Sequence, residues 1–195
     1  RDKVILHTKV SARDPKQWWS HFETSLKRLN TDYVDTLMVH HLGGPEDLAK
    51  LEVKDGPFEM LHKAKEQKLC RWIGISCHTD WKTLLEAHRR HKFDHAMISL
   101  NVATGGYTDL GFEENALPVF AGQGVAVTAM KAMGAGKIIN AHPEFDYKTC
   151  LGYSLSLPGG HSVTVTMPNL QHMTADVEAV ASFKPLGRDK RKELK

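Results

Sequence analysis

The chain has 195 residues, of which 41% are hydrophobic, and its formal net charge is +3 at pH 7. This length allows one domain with a hydrophobic core, but it is short for an eight-stranded α/β barrel, which typically has about 250 residues. No stretch approaches the roughly 18 apolar residues that a membrane-spanning helix needs, and no signal peptide is visible. We therefore expect no membrane partner and a cytoplasmic location.

The distribution of basic residues and the spacing of the cysteines indicate whether a nucleic-acid partner, a disulfide framework or a structural metal site is expected. Basic residues are dispersed except in the tail Gly187 to Lys195, GRDKRKELK. We interpret this tail as a solvated helix or a fraying end, and we expect no nucleic-acid partner. Cys70, Cys77 and Cys150 form no C-x-x-C pair, which argues against a disulfide framework or a structural metal site. A reducing compartment is the default expectation.

Short apolar runs alternate with amphipathic stretches along the chain. The apolar runs predict strands over residues 3–10, 33–40, 71–77, 95–102, 125–134 and 162–167. The other stretches predict helices over residues 14–29, 57–69, 79–92, 114–124, 145–157 and 169–183. The first helix has a clear start, with Asp14 as N-cap and Pro15 at the first helical position. About six strand–helix units in alternation predict an α/β protein with parallel strands.

Two architectures fit this alternation, an open doubly wound sheet and a (β/α)8 barrel. Polar residues collect where the predicted strands end, namely at Lys9, His40, His41, Ser76, Cys77, His78, Asn101 and Lys131. In a barrel these ends converge on one face and form the active site, whereas in an open sheet they gather only near the switch point. One polar residue at a strand end is ordinary, but Lys, His and Ser together favour a site.

Phosphate and metal motifs are incomplete in this sequence. Residues 132–139, AMGAGKII, resemble a P-loop but lack its Ser/Thr, and no G-x-G-x-x-G follows the first strand. The turn from Gly134 to Gly136 nevertheless follows a strand, where backbone N–H groups can approach a phosphate. His40 and His41 are adjacent on a strand and point to opposite faces, so they do not easily bind one ion. We expect no metal site, one functional histidine, His40, and a loop position for His41.

Five segments carry a family resemblance. They are RDKVILHTKV, SLKRLNTDYVDTLMVHH, RWIGISCHTD, GVAVTAMKAMGAGK and LGYSLSLPGGHSVTVTMPNLQHM. In this order they resemble the aldo-keto reductases, and the bacterial-type branch in particular, over nearly the whole chain. The resemblance implies a (β/α)8 barrel over residues 1–186, present here as about six βα units, followed by the basic tail 187–195. It also implies reversible hydride transfer between NADPH or NADH and a small-molecule carbonyl, an aldehyde or a ketone.

The resemblance places two of the family's four catalytic side chains in this chain. Lys9 falls at the family's lysine, and His40 falls at its histidine. The family's Asp and Tyr belong to an earlier βα unit. No tyrosine of this chain stands in a comparable place; the four are Tyr33, Tyr107, Tyr147 and Tyr153. Since the chain starts in a predicted strand without Met, we expect about two barrel strands, with any targeting segment, to precede Arg1, or else a partner to fill the gap.

The resemblance also implies cofactor contacts, which match the family pattern unevenly. Ser76 matches the serine at the nicotinamide carboxamide, while Cys77 and Met97 stand where Asn and Gln are usual. Met130, followed by Lys131, stands where an aromatic ring often stacks on the nicotinamide. The pyrophosphate loop corresponds to Gly134, Gly136 and Lys137, and the adenosine end corresponds to Thr166, Met167, Asn169, His172 and Asp176.

The adenosine end lacks the Lys and Arg that the family uses for NADP. Only His172 carries partial positive charge there at neutral pH. We therefore expect a weaker NADP preference than the family default. Two alternatives remain open: a non-catalytic relative that binds cofactor or has a regulatory role, and a metal-dependent hydrolase barrel that uses His40 and His41. The sequence names neither the substrate nor the oligomeric state.

Overall fold

The computed structural model describes residues 1, 3–105 and 111–195, which form two compact units, Arg1–Met97 (unit 1) and Ile98–Lys195 (unit 2). Six strands among these residues alternate with helices, which confirms the predicted α/β class. Tyr107, one of the four tyrosines considered above, lies outside the described residues.

Unit 1 contains the first strands and their crossover helices. Its strands are β1 (His7–Val10), β2 (Val34–Leu42) and β3 (Cys70–Cys77), and the chain passes into unit 2 within β4 (His95–Ser99). Its helices are α1 (Pro15–Leu29), α2 (Pro45–Leu51), α3 (Pro57–Glu66) and α4 (Trp81–His91). β1 pairs in parallel with β2, and β2 pairs in parallel with β3. Parallel pairing through helical crossovers is what the alternation predicted.

Helix α1 shows how the sequence fixes one crossover. The Asp14 carboxylate accepts a hydrogen bond from the Gln17 N–H at 2.9 Å, which satisfies one of the free donors at the helix start. Trp18 and Phe22 lie one turn apart, are fully buried and have ring centroids 6.0 Å apart. The helix ends at Asn30, which adopts a left-handed conformation with φ of 50°. The predicted start of this helix is confirmed.

Unit 2 continues the alternation with shorter elements. A 3-10 turn (Val102–Gly105) and a π-helical turn (Phe112–Ala116) precede α5 (Leu117–Gly122), β5 (Ala126–Met130) and a second 3-10 turn (Gly134–Gly136). They are followed by α6 (Lys137–Ala141), α7 (Tyr147–Leu155), β6 (Ser162–Val163), α8 (Leu170–Ala181) and α9 (Arg188–Glu193). β5 and β6 pair in parallel. The basic tail thus contains a short helix, α9, that is mostly exposed.

The structure differs from the sequence prediction mainly in the bounds of elements. β2 extends through Leu42, a fully buried residue, so His41 lies in a strand and its predicted loop position is wrong. β6 is shorter than predicted. Helices α2 and α6 are not among the predicted helices, because helices of 7 and 5 residues are too short to show a hydrophobic period.

Gly74 of β3 lies opposite Met38 of β2, which itself lies opposite Lys9 of β1. A Cβ at Gly74 would stand 2.6 Å from the His95 carbonyl oxygen and 2.8 Å from Met38 Cγ. We expect Gly74→Ala to lower the free energy of unfolding by about 1–3 kcal/mol, because the strand must move to admit the methyl group. Urea denaturation measures this, with Gly122→Ala as the control, since its added Cβ meets nothing within 4 Å. Equal effects of the two substitutions would contradict the prediction.

Candidate active site

Lys9 and His40 lie on neighbouring strands of unit 1. The register pairs Lys9 with Met38, and His40 follows Met38 by two residues. Because residues paired in register share a face, Lys9 and Met38 project from the same face. His40 begins the irregular stretch of β2, where the register with β3 shifts between Val39 and Leu42. Lys9 and His40 stand near the carboxyl ends of their strands and are half-buried. The structure therefore places the two residues predicted to be catalytic at the same end of adjacent parallel strands.

The Lys9 ammonium contacts the thioether of Met97. Nζ donates to Sδ at 3.5 Å, and Met97 is buried, with 6% exposure. A thioether is a weak and uncharged acceptor. This contact therefore holds the amine without neutralising its positive charge. The predicted role of Met97 in cofactor binding stays a prediction, and the structure adds that Met97 positions Lys9.

Three imidazoles meet near the carboxyl ends of β2 and β3. The ring centroids of His41 and His78 are 4.8 Å apart, and the His40 ring is 6.1 Å from that of His78 and 6.4 Å from that of His41. Burial lowers the pKa of His41, Asp47 raises it and Arg13 lowers it, and the net effect is a decrease. The neutral form of His41 is therefore favoured at pH 7.

The metal-hydrolase alternative depends on a set of metal ligands around these rings. Within residues 1, 3–105 and 111–195, no group of three or more His, Cys, Asp and Glu side chains is arranged to hold a metal ion. A catalytic zinc site needs three protein ligands. The described part of the chain thus offers no such ligand set to His40 and His41.

Ser76 and Cys77 end β3, and both side chains are fully buried. The Ser76 hydroxyl donates to the Val39 carbonyl at 3.4 Å, and the Cys77 thiol lies 3.3 Å from the Leu42 carbonyl and 3.4 Å from that of Asp80. Burial raises the pKa of the Cys77 thiol, so it stays protonated. Cys77 thus ties the ends of β2 and β3 together, while the predicted nicotinamide contacts of both residues stay predictions.

In unit 2, the glycine-rich turn after β5 has a left-handed backbone. The φ values of Gly134, Ala135 and Gly136 are 57°, 57° and 87°. The N–H group of Gly134 donates to the Lys131 carbonyl at 2.7 Å, and that of Gly136 donates to the Met133 carbonyl at 2.9 Å. These two donors are therefore already engaged, although the sequence suggested that they could bind a phosphate. The exposed Lys137 at the start of α6 is the remaining cationic group of this segment.

The residues predicted at the adenosine end surround the start of α8. Asn169 is the N-cap of that helix, and its Oδ1 accepts a hydrogen bond from the His172 N–H at 2.9 Å. Capping is therefore enough to explain Asn169. The remaining members of the set divide by burial: Thr166, Met167 and His172 are exposed, whereas Asp176 is buried. Of the residues predicted at the end of β5, Met130 is buried and Lys131 is exposed.

The described tyrosines do not offer a substitute for the family's catalytic tyrosine. The Tyr33 ring lies under the Arg1 guanidinium, 4.2 Å from its centroid, and Tyr147 begins α7. Tyr153 is fully buried, and its hydroxyl donates to Glu113 Oε2 at 2.8 Å. Burial and the Glu113 carboxylate raise the pKa of Tyr153. A hydroxyl with a raised pKa is a poor proton donor at neutral pH.

Arg13 and Asp47 lie 34 residues apart in the sequence and pair beside the histidines. Arg13 Nε donates to Asp47 Oδ1 at 2.9 Å, and Nη2 donates to Oδ2 at 2.6 Å. Asp47 Oδ2 also accepts the Gly43 N–H at 3.0 Å. Burial alone would raise the pKa of Asp47, but these hydrogen bonds outweigh it and hold the pKa below its usual value. No local pattern signals a pair at such a separation.

Comparison with known proteins settles the family. The model of the aldo/keto reductase family matches residues 1–148. The chain belongs to the aldo/keto reductase family. Membership supports oxidoreductase activity in general and a nicotinamide cofactor of unspecified type. A comparison with curated proteins found no match.

Solved aldo-keto reductase structures share the fold of this family member. The holo form of AKR11C1 from Bacillus halodurans has a TM-score of 0.75 and 21% identity, covering 100% of this chain and 72% of that chain. Thermostable Tm1743, solved with the inhibitor epalrestat, has a TM-score of 0.71 and 20% identity, with coverage of 100% and 71%. The predicted barrel fold, present over part of its length, is confirmed. No helix within the described residues is long and apolar enough to cross a membrane.

Proposed function

We propose that this aldo/keto reductase chain is part of an NAD(P)H-dependent oxidoreductase that reversibly reduces an aldehyde or a ketone. The observation that supports the proposal is the position of Lys9 and His40 at the carboxyl ends of adjacent parallel strands. Hydride attack on a carbonyl builds negative charge on its oxygen. A cation and an N–H group beside the carbonyl stabilise that negative charge, and a proton donor neutralises it.

Each residue has a separate role in the proposed reaction. An imidazole N–H of His40 orients the carbonyl and stabilises its developing negative charge. The Lys9 ammonium lowers the pKa of a neighbouring tyrosine from its ordinary value of about 10, which makes that tyrosine a better proton donor. The bound cofactor supplies the hydride. The tyrosine and its aspartate would come from a βα unit outside residues 1–195.

The proposed cofactor contacts follow from the family resemblance. Within unit 1, Ser76 and Met97 are the proposed nicotinamide contacts. Lys137 is the proposed contact with the pyrophosphate, because it is exposed and cationic and the nearby glycine N–H groups are engaged. The exposed start of α8 presents His172 but no Lys or Arg to a 2′-phosphate. We therefore propose that NADH serves as well as NADPH.

Fluorescence titration with each reduced cofactor tests this proposal. We expect saturable binding of both, with dissociation constants within about tenfold of each other, a difference of about 1.4 kcal/mol. Lys137→Met should weaken both, while Lys148→Met, an exposed lysine of α7, is the matched control. Absence of binding by either cofactor would overturn the proposal.

A carbonyl panel with both cofactors then separates turnover from binding alone. The proposal expects reduction of at least one aldehyde or ketone. Saturable binding without any turnover would favour the non-catalytic alternative.

A further inference from the structure

The guanidinium group of Arg13 uses all of its hydrogen-bond donors. Nε and Nη2 donate to Asp47 at 2.9 and 2.6 Å, and Nη2 also donates to the His41 carbonyl at 2.7 Å. Nη1 donates to the carbonyls of Ser11 at 2.8 Å and His40 at 2.9 Å. Arginine carries five N–H donors in a planar fork, so these five bonds occupy all of them.

Two of these bonds fall where the ladder between β2 and β3 is irregular. The register shifts between Val39 and Leu42, so that two residues of β2 stand opposite one residue of β3. A bulge of this kind removes regular ladder partners from the backbone, and carbonyls shielded from water need others. Arg13 supplies a partner to the carbonyl of each histidine in the bulge.

Arg13 also joins the segment that carries Lys9 to the segment that carries His40. Ser11, whose carbonyl it binds, lies two residues after Lys9, and Asp47 in the first turn of α2 anchors the guanidinium from the other side. We propose that Arg13, held by Asp47, is a positioning residue that fixes the geometry of Lys9 relative to His40. The inference rests on the proposed function and adds to it two residues that act through others.

The pKa of His41 can be measured whether or not the protein turns over a substrate. Its ring is flanked by the His40 and His78 rings and by the charges of Arg13 and Asp47. Arg13→Met removes a cation that lowers the pKa of His41, so the pKa rises. Asp47→Asn removes an anion that raises it and leaves Arg13 unpaired, so the pKa falls. Local unfolding would instead expose the ring and raise the pKa in both variants.

Histidine side-chain ¹H–¹⁵N spectra recorded across a pH titration of the intact protein measure these pKa values. We expect shifts of opposite sign in Arg13→Met and Asp47→Asn. Arg90→Lys, which weakens an arginine pair with Glu52 elsewhere in unit 1, is the control and should leave His41 unchanged. Shifts of the same sign in the two test variants, or no shift in either, would overturn the inference.

Arg13→Lys separates geometry from charge, because lysine keeps the positive charge but cannot form five planar bonds. We expect kcat for carbonyl reduction to fall roughly 10²-fold while the KM for the cofactor stays at its wild-type value, because a displacement of about 1 Å costs that much. A wild-type kcat in Arg13→Lys would overturn the inference. If the wild-type protein reduces no carbonyl, the proposed function fails, and the His41 shifts still test separately whether the Arg13–Asp47 pair forms beside the histidines.

Discussion

Replacement of Lys9 by methionine is expected to lower kcat for carbonyl reduction by about 10²- to 10⁴-fold, the range that a positioned proton-transfer system contributes. Without the ammonium, the proposed tyrosine keeps a pKa near its ordinary value of about 10 and donates its proton less readily. Steady-state rates at saturating cofactor measure the loss. The basic limb of the pH profile should also move to higher pH, because the donor stays protonated longer when the cation is gone.

The Lys9→Met substitution should change catalysis without changing stability, because a methionine side chain fits the space that the lysine occupies. Lys9 is half-buried and its amine already contacts the Met97 thioether, so an unbranched apolar side chain fits there. We expect the thermal unfolding midpoint to change little. Lys63→Met, which removes an exposed pair with Asp55 elsewhere in unit 1, is the matched control and should keep full activity. An unchanged kcat and an unmoved basic limb in Lys9→Met would refute the role of the lysine.

The sequence predicted those features of the fold that depend on local pattern. The N-cap Asp14 and the buried faces of α1 follow from side-chain chemistry and helical period, and both appear in the structure. The alternation of strands and helices predicted parallel pairing, and this pairing places Lys9 and His40 at the same end of adjacent strands. That part of the candidate site was predictable because it depends on register alone.

Features that depend on distant partners could not be predicted. The pairing of Arg13 with Asp47 joins residues 34 apart, and the bulge at the histidines exists only in relation to β3. His41 lies in a strand because Leu42 is buried beyond it, which a polar doublet does not reveal. The sequence indicated that the N–H groups of Gly134 and Gly136 could bind a phosphate, but they donate to the carbonyls of Lys131 and Met133. Contacts formed in the folded protein determine these features, so local sequence patterns do not predict them.

Replacement of His40 by alanine is expected to lower kcat by about 10²- to 10³-fold, as for the loss of one donor to a developing oxyanion. Because the donor acts mainly in the transition state, kcat and kcat/KM should fall equally. His40→Gln keeps a side-chain N–H and should recover part of the rate, while His62→Ala, an exposed histidine of α3, is the control.

The pH profile distinguishes the two residues. His40→Ala should lower the plateau and leave the basic limb in place, whereas Lys9→Met should move the limb. Since both act on one transition state, the double variant should lose less than the product of the single losses. A fully multiplicative loss, or a shifted basic limb in His40→Ala, would show that the two side chains do not serve one proton-transfer system.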